Sequence, residues 1–436
     1  MSSLPQNHQL RNSISTFFKE ISLNTLTGGA LLVLFHFLLT SIFSNRSPYQ
    51  LLKEVDNKPF SQKTFHNRLS NPKINWRSIL FFISKKLIEK LRPLTSEERK
   101  TVFIVDDSIY PRARSKKVQL LSKQYDHANK VYVNGFRFLN LGWSDGNTFL
   151  PLAFSLLGGK KSTVGEIDKR TLSGKRKMEA LEPATDVTLN LLKKALHQGI
   201  QADYVLFDSW FSSPKLFVAI RKLQLHVISM VKKSSKVYYN YEGQRLSVKQ
   251  LYAMHSKRRG RSKYLLSLEV TACYDKTEIP LKLVFVRNRN KKNDFLVLAS
   301  TDTSLSEEEI IQTYGKRWEI EVYFKICKQY LRLTRCQSLS YDELVGYTTG
   351  VCLAYSMLAY QHRFEVDGRS FGDLFFIMCK EIEDLSFKEA LRLIFQLLMD
   401  KLEDLGILSE AVIEALVNLF LIQAPKILTK RLLCLE

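Results

Sequence analysis

Two apolar runs in this chain end in carboxylates. Val102-Phe103-Ile104-Val105 leads into Asp106-Asp107-Ser108, and Tyr204-Val205-Leu206-Phe207 leads into Asp208. Short runs of β-branched and aromatic residues, bounded by polar ones, predict buried strands. An acid at the carboxyl end of such a strand lies at the rim of an α/β sheet, where sites are built. One acid there says little. Two, joined by a third from a helix, would repel one another and partly protonate unless a cation accompanied them. Carboxylate oxygens are the ligands that hard divalent ions such as Mg²⁺ and Mn²⁺ prefer.

The third acid comes from the clearest helix signal in the chain. Ser306 and Glu309 have the spacing of a capping box, and the apolar pattern predicts a helix from there to about Leu331. On it Tyr314, Arg317, Glu321 and Lys328 stand at offsets 0, 3, 7 and 14. At about 100° per residue they fall within about 60° of arc, along roughly 21 Å. A phenol, a guanidinium, a carboxylate and an ammonium make a poor core stripe. They suit a phosphodiester backbone, Arg317 offering a fork to phosphate oxygens and Lys328 a point charge. Glu319 lies about 160° from Glu321 on this wheel and reads as a solvated surface residue. Trp318, Ile320, Val322, Phe324 and Ile326 are expected to bury the remaining sides.

These groups need a scaffold, and the chain offers one in pieces. Residues 1–95 read as helical. Ser61 to Leu69 and Asn75 to Leu91 form two short amphipathic stretches around Asn71-Pro72. They suit either a helix-turn-helix, with Lys63, Thr64, His66, Asn67 and Arg68 toward a DNA groove, or an ordinary bundle with a basic face. The apolar run Gly28 to Phe43 falls short of the roughly 20 residues of a membrane span and reads as a buried helix. Strands are expected at Val131 to Leu141 and Phe149 to Leu157, joined by a turn at Ser144 to Asn147. A basic mobile loop is expected from Gly158 to Lys177, then a helix from Asp186 to His197 closed by Gly199. Residues 225–300 read as mostly β. The end of the chain reads as a helical bundle or oligomer surface.

Composition narrows the partner. The 436 residues suggest two or three domains, and 45% hydrophobic residues are enough to fold most of them. A net charge of +22 favours a polyanion, though charge alone does not separate DNA from RNA or an acidic membrane surface. Between Met230 and Leu265 ten Lys or Arg, among them Lys257, Arg258, Arg259 and Arg261, face one acid, Glu242. Tyr238, Tyr239, Tyr241, Tyr252 and Tyr264 are interleaved with them, which suits bases stacked beside a phosphate track. The six cysteines have no metal-ligand spacing and read as free thiols of a reducing compartment. No export signal is expected, and the location implied is the cytoplasm, beside the nucleoid.

The segment YGKRWEIEVYFKICK, Tyr314 to Lys328, resembles the Tyr-x2-Arg-x3-Glu-x6-Lys signature of the insertion-sequence "IS-four" family of bacterial DDE transposases. The preceding LVLASTDTSLSEEEII and the following Gln329-Tyr-Leu-Arg-Leu are similar to that family's flanks. VDDS at 105–108 and LFDSWF at 206–211 resemble its two aspartate blocks, so the resemblance covers roughly residues 100–335. The family's Asp-x-Ser pattern selects Asp106, with Ser108, over Asp107, and neighbours on a strand point to opposite faces.

The resemblance implies an α/β fold: a ribonuclease H-like catalytic core with a β-rich insertion, flanked by helical regions. The corresponding division is 1–95, 96–224, 225–300, 301–335 and 336–436. It implies two Mg²⁺ or Mn²⁺ ions, with Asp106 bridging, Asp208 on one and Glu321 on the other. Tyr314, Arg317 and Lys328 would grip DNA near the scissile phosphate, and Lys257, Arg258, Arg259 and Arg261 would bind it further off. The implied activity is cleavage at transposon ends and strand transfer into target DNA. The partners are double-stranded DNA, both terminal inverted repeats and target, and a second copy of the chain in the synaptic complex, with no membrane. Rival readings are a metal-dependent nuclease of the same fold, an inactive DNA-binding protein, and a tyrosine recombinase. Relatives can hold a flipped base with a tryptophan in the insertion; Trp76, Trp143, Trp210 and Trp318 all lie outside it.

Overall fold

One mixed sheet dominates the structure, a computed structural model describing residues 6–23, 28–54, 58–95, 99–126, 129–159, 167–259, 262–288, 291 and 294–364. Among these residues the sheet has eleven strands. They are β1 (Val102–Pro111), β2 (Ser122–Asp126), β3 (Val131–Ser144), β4 (Phe149–Leu157), β5 (Tyr204–Phe207), β6 (His226–Met230), β7 (Tyr238–Tyr241), β8 (Gln244–Ser247), β9 (Leu266–Tyr274), β10 (Thr277–Arg287) and β11 (Phe295–Ser300). Their spatial order is β2-β3-β1-β5-β6-β11-β10-β9-β7-β8, with β4 paired to β3. β1 runs antiparallel to β3 and parallel to β5, and β5 runs parallel to β6. From β6 onward the pairings with β11, β10 and β9 are antiparallel. The mixed α/β arrangement is consistent with a ribonuclease H-like fold.

The helices, in chain order, are α1 (Gln6–Glu20), α2 (Gly29–Phe43), α3 (Pro48–Glu54), α4 (Gln62–Leu69), α5 (Trp76–Leu91), α6 (Leu172–Glu179), α7 (Ala184–His197), α8 (Pro214–Arg221), α9 (Val248–Met254), α10 (Glu307–Gly315), α11 (Trp318–Gln329) and α12 (Tyr341–Phe364). The apolar run at 28–43 is α2, buried from Leu34 to Phe43 apart from His36. No helix among the described residues is long and apolar enough to cross a membrane. Ser61 caps α4 and Asn75 caps α5, each side chain accepting a backbone N–H of the first turn. Such caps contribute about 1 kcal/mol each.

β4 reads Phe-Leu-Pro-Leu-Ala-Phe-Ser-Leu-Leu and is buried at every position. An unbroken apolar strand fits a sheet covered on both faces, and α5, α7 and α12 all pack against it. α12 is itself buried from Tyr341 to Ala359, closing the core over α5 and α11.

Four sequence expectations change. β1 continues past Asp106 to Pro111 because β3 pairs with it along its whole length, after β5 has stopped at Phe207. β2, with no Val, Ile, Leu or Phe in Ser-Lys-Gln-Tyr-Asp, was not expected and is held by β3 alone. The stretch expected as a loop to Lys177 becomes helical at Leu172, capped by Thr171, while residues 160–166 lie outside the described ones. The helix expected from Ser306 to Leu331 is two helices, broken at Lys316-Arg317. The bundle expected at the end of the chain is described only as far as α12, and Cys379 and Cys434 fall beyond it. Cys273, Cys327, Cys336 and Cys352 are free thiols.

Candidate active site

The parallel pairing of β1 with β5 sets Val105 opposite Phe207. The next residue on each strand is an aspartate, Asp106 and Asp208, so both acids emerge at one level of neighbouring strands. Parallel strands lie about 4.8 Å apart, with side chains in register on one face. Asp106 is shielded, and its carboxyl is pushed up to about 7 by burial first, with Asp208 and Asp107 adding and Arg317 opposing. Burial likewise raises Asp208, with Asp107 adding to it; the backbone N–H of Trp210, 2.9 Å from its Oδ1, opposes the rise.

Arg317 joins this pair to the third acid. Its Nη1 lies 2.9 Å from Asp106 Oδ2, and its Nη2 makes a close ion pair with Glu321. Burial works against the charge on Arg317, yet Tyr314, Asp106 and Glu321 hold its proton more tightly than usual. Tyr314 packs beside it, and burial foremost pushes its phenol up to about 12. Lys328 Nζ donates to Ser108 Oγ at 2.6 Å. Arg317 and Lys328 thus reach Asp106 and Ser108 directly, and Tyr314 and Glu321 join them through Arg317.

Asp107 goes the other way. Its Oδ1 is 2.5 Å from Arg137 Nη2, and the Arg137 guanidinium lies 3.5 Å from the centre of the Trp210 ring. Arg137 was not anticipated; the one signal was a lone cation between Phe136 and Phe138 on a buried strand.

The joint between α10 and α11 explains where the helical wheel failed. Lys316, Arg317, Glu319 and Ile320 donate their backbone N–H to carbonyls three residues back rather than four. This tighter winding advances about 120° per residue, and Gly315 stands where it begins. Glu319, expected in solvent, is half-buried and accepts from Ser144 Oγ at 2.7 Å. Burial pushes its carboxyl up to about 7, Ser144 and Lys316 opposing and Asp145 adding. Trp318, expected to bury a side of the helix, is 64% exposed, while Ile320, Phe324 and Ile326 are buried as expected.

In the β-rich stretch, Lys257 Nζ lies 4.5 Å from the centre of the Tyr252 ring and the Arg258 guanidinium 4.3 Å from that of Tyr264. Arg258 and Arg259 are exposed; Arg261 lies outside the described residues. Among the described residues none of these side chains forms an ion pair with the three acids. The segment is tied instead to α10 through Lys263 and Glu308, 2.8 Å apart.

Among the described residues no three His, Cys, Asp or Glu side chains are grouped closely enough to hold a metal ion. The donors nonetheless suit one. Asp106 and Asp208 offer hard carboxylate oxygens from neighbouring strands, the charge of Asp208 helping to raise the Asp106 carboxyl, and Glu321 reaches Asp106 through the Arg317 guanidinium.

Comparison with known families places this geometry. A family model described as DDE superfamily endonuclease matches residues 16–268, which include Asp106 and Asp208. A second, described as a transposase DDE domain, matches residues 180–357, which include Asp208, Glu321 and the rest of the helical signature. No curated protein matches the chain. With the first match running over more than half of its 436 residues, and residues 180–357 similar to a transposase DDE domain, the chain belongs to the DDE superfamily of endonucleases.

Proposed function

We propose that this chain is a cut-and-paste DNA transposase of the IS-four family, with Asp106, Asp208 and Glu321 as its catalytic acids. The observation that carries this reading is the meeting of Asp106, at the level of Asp208, with Arg317 and through it with Glu321. Asp106, Asp208 and Glu321 would hold two Mg²⁺ or Mn²⁺ ions, which supply activation of water or a DNA 3′-hydroxyl and stabilise the leaving oxygen. Tyr314, Arg317 and Lys328 orient the scissile phosphate. Backbone amides fix the acids themselves: Asp107 N donates to Asp106 Oδ1 at 2.8 Å and Trp210 N to Asp208 Oδ1 at 2.9 Å.

In this reading residues 96–224 and 301–335 form the ribonuclease H-like core. The order β4-β3-β1-β5-β6 supports it. Because β6 pairs in parallel with β5, it favours a boundary after Met230 rather than at 224. Residues 225–300 otherwise form the insertion, which lengthens the sheet and carries Lys257, Arg258, Arg259 and Arg261 toward DNA. Residues 1–95 and 336–436 flank the core, helical in α1 to α5 and α12 among the described residues, and two copies of the chain act on paired transposon ends.

The experiment is cleavage and joining of labelled DNA from the gene's own boundaries. Asp208→Asn and Glu321→Gln should each abolish Mg²⁺-dependent cleavage while leaving DNA binding within about a few fold, since each removes a ligand and little volume. Cleavage without joined product in the native protein would make it a nuclease. A covalent protein–DNA adduct would refute the scheme altogether.

A further inference from the structure

The face of the sheet that carries Asp106 does not end there. Asp106 pairs with Asn140, Ser108 with Phe138 and Tyr110 with Phe136, so these positions of β3 share its face. α11 covers the beginning of this face, Tyr323 donating to Asn140 Oδ1 at 3.2 Å and Phe324 packing on Phe138. Four residues beyond Phe136, β3 is paired only with β2, and there Tyr132 faces Tyr125 across the two strands.

The rings of that pair are 5.0 Å apart. Tyr132 is 71% and Tyr125 40% exposed, a contiguous aromatic patch on the hairpin. Lys123 and Lys130 of the hairpin are exposed, as are Arg114, Lys116 and Lys117 in the stretch that leads into β2. Asp126 is the one acid in the sequence between Ser108 and Ser144. Exposed rings among unopposed cations complement nucleic acid: the cations neutralise phosphates and the rings pack on sugars or bases. Asp126, paired with Val131 at the end of the hairpin, acts on the ammonium of Lys328, whose Nζ lies 2.6 Å from Ser108 Oγ, so the hairpin stands beside the site.

We propose that the β2–β3 hairpin is a DNA-contacting arm that grips the duplex beside the scissile phosphate. This rests on reading Asp106 as part of the catalytic site.

The test uses the full chain and a duplex from the gene's boundary. Tyr125→Ser with Tyr132→Ser should weaken binding about tenfold. Lys123→Ala with Lys130→Ala should do the same and lower the salt slope by about 1.8. The lysine pair leaves the ring pair intact and so keeps the question open to refutation if the serine variant fails to fold. Native-like affinity and salt slope of the lysine variant would overturn the proposal while leaving the site reading untouched. So would a change of oligomeric state without a change in DNA affinity, because the patch would then be a protein interface. A native protein that does not bind the duplex would overturn both readings.

Discussion

Arg317 and Asp106, 211 residues apart in the chain, meet with Nη1 2.9 Å from Oδ2. The other arm of the same guanidinium is engaged by Glu321. A guanidinium so engaged is not free to grip a phosphate, and carboxylates so engaged are not free to surround a metal. On the proposed reading the three components would compete for one small volume of charge, and binding of substrate and cations would require Arg317 to exchange partners.

Arg317→Ala should therefore separate two effects. Without metal the variant should unfold earlier by about 1–3 kcal/mol of stability, since Asp106 is left in a shielded place without its counter-charge. Millimolar Mg²⁺ should raise its melting temperature by more than it raises that of the native protein, because no guanidinium has to be displaced. Cleavage should be lost. Equal Mg²⁺-induced shifts in the two proteins, read by thermal unfolding, would rule out the competition.

Glu319 should show itself through pH. Its carboxyl is pushed up to about 7 in the fold, from an ordinary 4.5. The folded state thus favours the protonated acid, and the native protein loses stability as pH rises from about 4.5 through about 7. Glu319→Gln cannot ionise. Its melting temperature relative to native should climb over that window and level off above it. A flat difference would mean that Glu319 ionises as freely as in an unfolded chain.

Arg77 and Glu179 make the reverse case. Arg77 Nη1 donates to Glu179 Oε2 at 2.7 Å, and Nη2 donates to Phe154 O at 3.1 Å, tying α5 to α6 and β4. Although burial opposes it, the guanidinium holds the Glu179 carboxyl below its usual range. That contribution is complete above about pH 4.5 and is lost as pH falls through the lowered value. Glu179→Gln should cost about 3–5 kcal/mol near neutral pH, because the Arg77 charge stays buried without its partner. Urea unfolding should show this gap narrowing in acid. A gap independent of pH would assign the loss to packing.

The basic segment after α9 can be weighed by salt. Replacing Lys257, Arg258 and Arg259 with Ala should reduce the dependence of DNA affinity on salt by about 0.9 for each phosphate contact removed. Their positions over Tyr252 and Tyr264 hold two of these cations in place before DNA arrives. An unchanged slope would return the segment to the solvent.

Much of this was legible in advance where burial alone decides. Val102 to Val105, Tyr204 to Phe207 and Phe149 to Leu157 are apolar because helices cover them, so the runs announced the strands. Ser306 and Glu309 announced α10 by a local bond pattern that needs no tertiary partner. What escaped depended on partners distant in sequence. β1 beyond Asp106 looked like a loop because its support is β3, and β2 carries no pattern apart from β3. Glu319 was placed in solvent by assuming 3.6 residues per turn through Gly315, where the backbone winds more tightly. The apolar run before Asp106 and the helical spacing singled out Asp106 and Glu321, but neither revealed that Arg317 would bind both.

The wide separation of the site's parts has a consequence for biosynthesis. Asp208 follows Asp106 into the site only after 102 further residues, and Glu321 only after another 113. At about 5–20 residues per second, a ribosome takes roughly 10–40 s to pass from the first acid to the last. β3 is made soon after the strand bearing Asp106, but β5 only about halfway through that interval and Arg317 near its end. On the proposed reading, a product ending within 209–316 would keep Asp106 and Asp208 but lack the Arg317 and Glu321 that complete the centre.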